Sequence, residues 1–130
     1  MADYTLLNLK NDVEDMASRF GYSPTEARFA RKPLRLEKSG VSYFRVAPDF
    51  RFPFGHSHTE QEEVYVLLSG GARMKLGDEI VELKPMDAIR VPGSTKRGLE
   101  GGPDGAEILA FGAPNTDNKD LEMDPGFWPT

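Results

Sequence analysis

The chain contains only two histidines, and they lie two positions apart at His56 and His58. Glu63 follows them closely along the chain. Two neutral imidazoles and one carboxylate are the donors of catalytic zinc sites and of the facial triad in non-haem iron oxygenases, and both kinds of site leave coordination positions open for a substrate. The three residues are therefore candidate ligands for a divalent metal ion.

The residues around the histidines indicate which way the imidazoles point. Three phenylalanines precede them at even-numbered positions, and side chains two positions apart on a strand share a face. The rings identify that face as the interior of the protein. We expect Phe54, the ring nearest His56, to border the open coordination positions, and Tyr65 to do so from the strand that Glu63 begins. The rings of this face are Phe50, Phe52 and Phe54.

Short alternating segments separated by turn residues predict that the site lies in an antiparallel β-barrel. Gly77-Asp78 has the form of a two-residue hairpin turn. Ser69-Gly70-Gly71 and the stretch from Gly101 to Gly105 are also predicted to be turns. The chain carries 13 glycines and 10 prolines, which favours many short strands over an α/β fold. The predicted strands are 26–31, 41–47, 64–68, 71–76, 79–83, 88–91 and 107–111.

The two ends of the chain differ from this pattern. Residues 11–20 place apolar side chains at helical spacing, which predicts one short amphipathic N-terminal helix. Residues 113–130 are rich in Asn, Asp, Pro and Gly, which predicts an irregular tail. The tail ends in Phe127 and Trp128, whose rings we expect to dock on the barrel. The expected organisation is one domain with a helical extension (1–25), a barrel (26–112) and a packed tail (113–130).

Composition excludes several classes of function. The 130-residue chain has no cysteine, which removes disulfides, thiolate nucleophiles and iron–sulfur clusters. A net charge of −5 disfavours nucleic acid as a partner. A Ser/His/Asp triad would have to use one of the candidate metal ligands. With no apolar run of membrane-spanning or signal-peptide length, we expect no membrane partner and a cytoplasmic location.

The segment from His56 to Gly70 resembles the first sequence motif of the cupin family, Gly-x5-His-x-His-x3or4-Glu-x6-Gly. His56, His58, Glu63 and Gly70 match it without a gap, whereas Phe50 stands at the leading glycine. The resemblance covers roughly residues 40–112. It implies a jelly-roll barrel, a double-stranded antiparallel β-helix, in which the two histidines and the glutamate bind a divalent metal.

The second cupin motif, which supplies a fourth histidine ligand, is degraded in this sequence. Alignment on Pro92 places Arg97 at the histidine position, and alignment on Gly93 places Lys96 there. Arginine cannot lose its proton to become a metal ligand. Either a three-ligand metal site remains, or the metal has been lost. In the second case Arg97 would pair with Glu63 or bind an anionic ligand.

The resemblance implies a small metal-binding cupin that acts on a small organic molecule inside the barrel through a divalent metal held by His56, His58 and Glu63, and Arg97 would favour an acidic group on that molecule. Arg97, Tyr65 and Phe54 are the candidate substrate-binding residues, and Fe, Zn, Ni or Mn would suit the donors. A metal-dependent oxygenase or isomerase is one alternative, and a non-catalytic binding or sensing module is the other. A homodimer is also expected, because the outward side chains of Val64, Val66 and Leu68 would otherwise expose apolar surface.

Overall fold

The computed structural model describes residues 2–113 and 121–128, which form eight strands, one 3-10 turn and a single turn of α-helix. The predicted all-β architecture is confirmed. The helical segments are the 3-10 turn Ala17–Phe20 and α1 (Arg31–Leu34). The strands are β1 (Glu26–Phe29), β2 (Gly40–Val46), β3 (Gly55–His58), β4 (Glu63–Leu76), β5 (Glu79–Leu83), β6 (Ala88–Val91), β7 (Arg97–Gly112) and β8 (Leu121–Asp124).

The two longest strands, β4 and β7, pair with each other along their length and form the centre of one antiparallel sheet. On its other side β7 pairs with β2 and, at its first residue, with β3. The shorter strands β5 and β6 both pair with β4. Because β7 contacts three strands, the sheet curls around its inner face, where the core lies. The core residues are Val46, Tyr65, Leu67, Ala72, Met74, Leu83, Val91, Leu99, Ala106, Ile108 and Ala110.

Two of the predicted turns are wrong, because the glycines there serve close approach of strands. The hairpin turn at Gly77-Asp78 is confirmed, since Leu76 pairs with Glu79. By contrast, β4 continues through residues 69–71 with irregular register on both sides of Gly70, and β7 continues through residues 101–105. A Cβ atom on Gly105 would lie 2.8 Å from the Val46 carbonyl oxygen, so the strands can cross closely only where that side chain is absent.

The predicted N-terminal helix is reduced to the 3-10 turn Ala17–Phe20. The backbone before that turn bonds to β1 instead of to itself. Met16 N–H donates to the Ala27 carbonyl at 2.8 Å, and the Asp15 carboxylate accepts from the N–H groups of Ala17 and Ala27 at 2.9 and 3.0 Å. These sheet-like bonds use the donors and acceptors that a longer helix would need.

The C-terminal segment contains a strand where an irregular tail was predicted, since β8 pairs with β3 from Gly55 to His58. Residues 114–120 of the predicted tail lie outside the described residues. Phe127 and Trp128 are buried, at 8% and 9% exposure. The Arg51 guanidinium lies over the Trp128 ring at 4.3 Å, and the Lys75 ammonium lies over the Phe127 ring at 3.7 Å.

The outer face of β4 carries the apolar residues on which the expected dimer depends. Val64 and Val66 are half-buried, and Leu68 is 40% exposed. The homodimer stays a prediction, which equilibrium sedimentation would check against the monomer mass of 14.5 kDa. Within the described ranges, no helix is long and apolar enough to cross a membrane.

Two glycines leave the space that the C-terminal rings occupy, which gives a test of the docking. A Cβ atom on Gly55 would lie 2.7 Å from Phe127 Cβ, and one on Gly98 would lie 2.7 Å from Trp128 Nε1. We expect Gly55→Ala and Gly98→Ala to lower the free energy of unfolding by about 1–3 kcal/mol through overpacking. Both changes should also shift the emission of Trp128, the only tryptophan, to longer wavelength.

Gly71→Ala is the matched control, because a Cβ atom at Gly71 in β4 would meet nothing within 4 Å. Chemical unfolding and fluorescence of the three variants check the expectation. Docking by this contact is contradicted if Gly55→Ala and Gly98→Ala behave like Gly71→Ala.

Candidate functional site

The three candidate metal ligands come together on the inner face of the sheet. His56 and His58 lie on β3, and Glu63 is the first residue of β4. Their possible ligand atoms all lie within 4.8 Å of one another. The two imidazole rings stand nearly perpendicular, at 84°, with their centres 5.2 Å apart. Alternation along β3, which the sequence predicts, thus carries both rings to one place.

A single oxygen of Glu63 is the centre of this group. Glu63 Oε1 lies 3.6 Å from His56 Nε2 and 3.4 Å from His58 Nε2. It accepts a hydrogen bond from the Tyr65 hydroxyl at 2.8 Å and another from Arg97 Nη1 at 2.5 Å. Tyr65 is the next inward-facing residue of β4, so the strand itself brings its hydroxyl to the carboxylate.

The surroundings of Glu63 keep its carboxylate ionised. Burial by itself raises the pKa of Glu63, but the nearby imidazoles of His56 and His58, the hydrogen bond from Tyr65 and the charge of Arg97 outweigh burial. The pKa of Glu63 therefore lies well below its usual range. Burial and the neighbouring Glu63 charge raise the pKa of Tyr65 above its usual range, so its hydroxyl stays protonated and acts as a donor.

Arg97 enters the site as the ion-pair partner of Glu63, one of the two roles that the sequence leaves open for it in the absence of metal. Its side chain is only 1% exposed. Nη2 donates to the carbonyls of Pro92, Gly93 and Thr95 at 2.6, 3.1 and 2.9 Å, and Nε donates to the Thr95 carbonyl at 3.0 Å. Because Nη1 donates to Glu63, the guanidinium has few N–H donors left to bind a substrate in bidentate fashion.

Lys96, the alternative residue at the fourth-ligand position, points elsewhere. Its ammonium pairs with the Asp124 carboxylate at 2.9 Å on the outside of the protein. The first residue of β7 is opposite His56 in the sheet, so the backbone register places Arg97 and not Lys96 at the metal-capable group. The alignment on Pro92 is therefore the one that the structure follows.

The group opens into a cavity of about 440 Å³ whose walls are mostly apolar. Phe54 and Tyr65 line it, as the sequence predicts for a substrate site, and so does Phe52. Phe50 instead packs edge-to-face against Phe52, at 5.2 Å between ring centres. The sequence did not identify the parts of the cavity wall that come from segments distant along the chain. Only the alternation of side chains in β1 gave a local signal for any of them. These residues are Phe20, Tyr22, Phe29, Arg31, Leu121 and Met123.

The chemistry of the donors fits a divalent metal. Imidazole nitrogen and carboxylate oxygen are donors for iron, zinc, nickel and manganese, and a three-residue set leaves positions for a ligand. The residues that would hold the ion are His56, His58 and Glu63. Arg97 opposes metal binding, because its positive charge lies next to the carboxylate oxygen of Glu63 that a metal would use.

Comparison with solved structures identifies the architecture. A cupin protein of Bacteroides fragilis matches with a TM-score of 0.71 and 23% identity over 90% of this chain and 89% of that chain. The polyketide cyclase RemF of Streptomyces resistomycificus matches with a TM-score of 0.71 and 23% identity over 96% of this chain and 87% of its own. Oxalate decarboxylase of Bacillus subtilis matches with a TM-score of 0.74 and 17% identity over 94% of this chain and 33% of its own.

Comparison of the sequence finds no relative, since neither a protein-family model nor a curated protein matches this chain. The likeness is therefore one of fold.

The Arg97–Glu63 pair should contribute strongly to stability in metal-free protein. Arg97→Met would leave a mostly buried carboxylate and three carbonyl groups without their partner, so we expect a loss of about 3–5 kcal/mol in the free energy of unfolding. Combining it with Glu63→Gln should recover part of that loss, because the unpaired charge is then gone. Urea unfolding in the presence of a chelator measures both.

The control is the exposed pair of Arg90 and Glu62, separated by 3.6 Å. Arg90→Met should cost about 0–1 kcal/mol, as exposed pairs do. The buried role of Arg97 is refuted if its replacement costs no more than that of Arg90.

Proposed function

Starting from the fact that this chain has the cupin fold, we propose that it binds a small organic molecule in the cavity beside a divalent metal ion and acts on it there. His56, His58 and Glu63 would hold the ion. The observation that carries the proposal is the meeting of these three donors, within 4.8 Å of one another, at the wall of an apolar cavity of about 440 Å³. That volume suits a ligand of one to three rings.

The residues around Glu63 prepare the donors for this role. Tyr65 and Arg97 hold Oε1 and keep the carboxylate ionised, so no proton has to be displaced when a cation binds. A divalent metal at this place would supply Lewis-acid polarisation of a ligand oxygen or activation of dioxygen. The protein contributes fixed orientation, because both anchors of the carboxylate are themselves buried.

The walls select the kind of molecule that enters. Phe44, Phe52, Phe54, Met74 and Leu99 line the cavity. Burial of apolar ligand surface against such walls is the main favourable term in binding, and polar groups on the ligand would be left without partners over most of the surface. A ligand with an apolar, ring-containing body is therefore favoured over a sugar-like one.

The structural neighbours are consistent with catalysis in a barrel of this kind. Two of them are named as enzymes, a polyketide cyclase and an oxalate decarboxylase. Fold alone does not specify a reaction, which depends on the residues of the site. These neighbours support the proposal because they are enzymes with the same fold.

A second candidate function is non-catalytic binding of the same class of molecule without metal. The observation that favours it is the 2.5 Å hydrogen bond from Arg97 to the oxygen that a metal would need. A guanidinium at this distance already neutralises the carboxylate and would repel a divalent cation. In this alternative the apolar cavity is retained as a container or sensor site.

Metal content distinguishes the two functions. Protein incubated with Fe²⁺, Zn²⁺, Ni²⁺ or Mn²⁺ and then freed of unbound ions should retain about one equivalent of at least one of them, measured by elemental analysis. His56→Ala, His58→Ala and Glu63→Gln should each lose at least about tenfold in metal affinity, because each removes a donor.

Glu62→Gln is the matched control, since Glu62 is the exposed carboxylate next to Glu63. It should retain the metal of the wild type. Equal metal content in wild type and His56→Ala would overturn the metal-binding proposal, and a wild type without metal that is still stabilised by cavity ligands would establish the second function.

A further inference from the structure

Arg31 lies in the wall of the cavity, and none of the residues that the structure describes pairs with its charge. It is the first residue of α1, and its side chain is half-buried. The Nε atom is buried without a hydrogen-bond partner. In the part of the chain that the structure describes, no carboxylate forms an ion pair with this guanidinium. An arginine in this state is costly to the folded protein, and a ligand with negative charge would relieve the cost.

The arrangement contrasts with that of Arg97, to which the sequence assigned recognition of an acidic group. Arg97 is bonded to Glu63 and to three carbonyls, whereas Arg31 retains its donors. Both guanidinium groups border the same cavity. The free cation of this cavity, among the described residues, is therefore Arg31.

The sheet gives the distance between Arg31 and the metal-capable group. Gly40, Gly112 and Glu63 lie side by side on β2, β7 and β4. Arg31 lies over the first of these residues, since a Cβ atom at Gly40 would be 4.0 Å from Arg31 Cδ. Two strand spacings separate Gly40 from Glu63, which is about 10 Å.

The side chain of Gln61 reaches over the strip between these two points, with its Nε2 atom 3.1 Å from the position of a Cβ atom on Gly112, but the strand residues beneath it carry no large side chains. Gly40 and Gly112 have none, and the adjoining row of the sheet presents Ser42 and Ala110. A flat body with one end at Arg31 and the other at Glu63 would therefore lie along this strip in contact with Gln61. Phe44, which follows Ser42 on the same face of β2, and Phe52 and Phe54, from the segment before β3, also line the cavity and would flank it.

We propose that Arg31 determines the specificity of the cavity by binding the carboxylate of an aromatic acid whose far end reaches the His56, His58 and Glu63 group. The inference rests on the proposed function, because it names the substrate class of that same cavity. A guanidinium binds a carboxylate through two parallel hydrogen bonds, and a neutral ligand of the same shape cannot accept both. Arg31 is a positioning residue here, since it holds the end of the ligand away from the reacting group.

A rigid pair of probes tests this assignment by titration calorimetry with the full-length, metal-supplemented protein. The first is 6-hydroxy-2-naphthoate, whose carboxylate and hydroxyl lie at opposite ends of two fused rings, and the second is its neutral carboxamide. The wild type should bind the acid at least about tenfold more tightly than the amide, as expected for a charge-assisted bidentate contact. Arg31→Gln should abolish this preference by weakening the acid alone, and Arg31→Lys should restore part of it.

Lys32→Gln is the control for net charge, since Lys32 is the neighbouring exposed cation on α1. It should leave the preference intact, and thermal unfolding should show that all three variants are folded. Equal affinity of acid and amide in the wild type, or an unchanged preference in Arg31→Gln, overturns the role of Arg31 while the cavity function stands. Failure of both probes to bind protein that has taken up metal overturns the cavity function as well.

Discussion

The structure depends on one carboxylate that is taken out of water and must be compensated. Glu63 lies at the wall of an apolar cavity, where an unpaired charge would be severely destabilising. Tyr65, from the same strand, and Arg97, from the start of β7, both donate to its Oε1 atom. Because Arg97 is itself fixed by three backbone carbonyls, the carboxylate is held in one position relative to His56 and His58. The pairing orders the site before any ligand binds.

The same constraint explains why the long strands and the glycines matter. β7 must place Arg97 at its first residue while it pairs with β4 along its length and with β2 at its other end, and the sheet can curl this tightly only where backbones approach without side chains. Gly55 and Gly98 then admit Phe127 and Trp128 at the end where β3 and β8 meet. The cavity lies in the part of the interior that these two rings do not fill.

The parts that the sequence predicts correctly are those set by local spacing. Alternation placed Phe54, His56 and His58 on one face, and the hairpin at Gly77-Asp78 follows from its two turn residues. The parts that it misses are set by contacts distant along the chain. The N-terminal segment bonds to β1 instead of forming a longer helix, and the glycines at 101–105 allow strands to cross. Arg31 carries no local signal, because its lack of a partner is a property of the folded cavity.

The central claim is that the carboxylate held by Arg97 and Tyr65 still shares a metal ion with the two histidines. Anomalous diffraction from crystals grown with Mn²⁺ or Zn²⁺ tests it most directly, because the signal locates the ion without assumptions about stoichiometry. The account predicts a single strong peak within bonding distance of His56, His58 and Glu63. A well-ordered site with no peak there, and with Arg97 still bonded to Glu63, would contradict it.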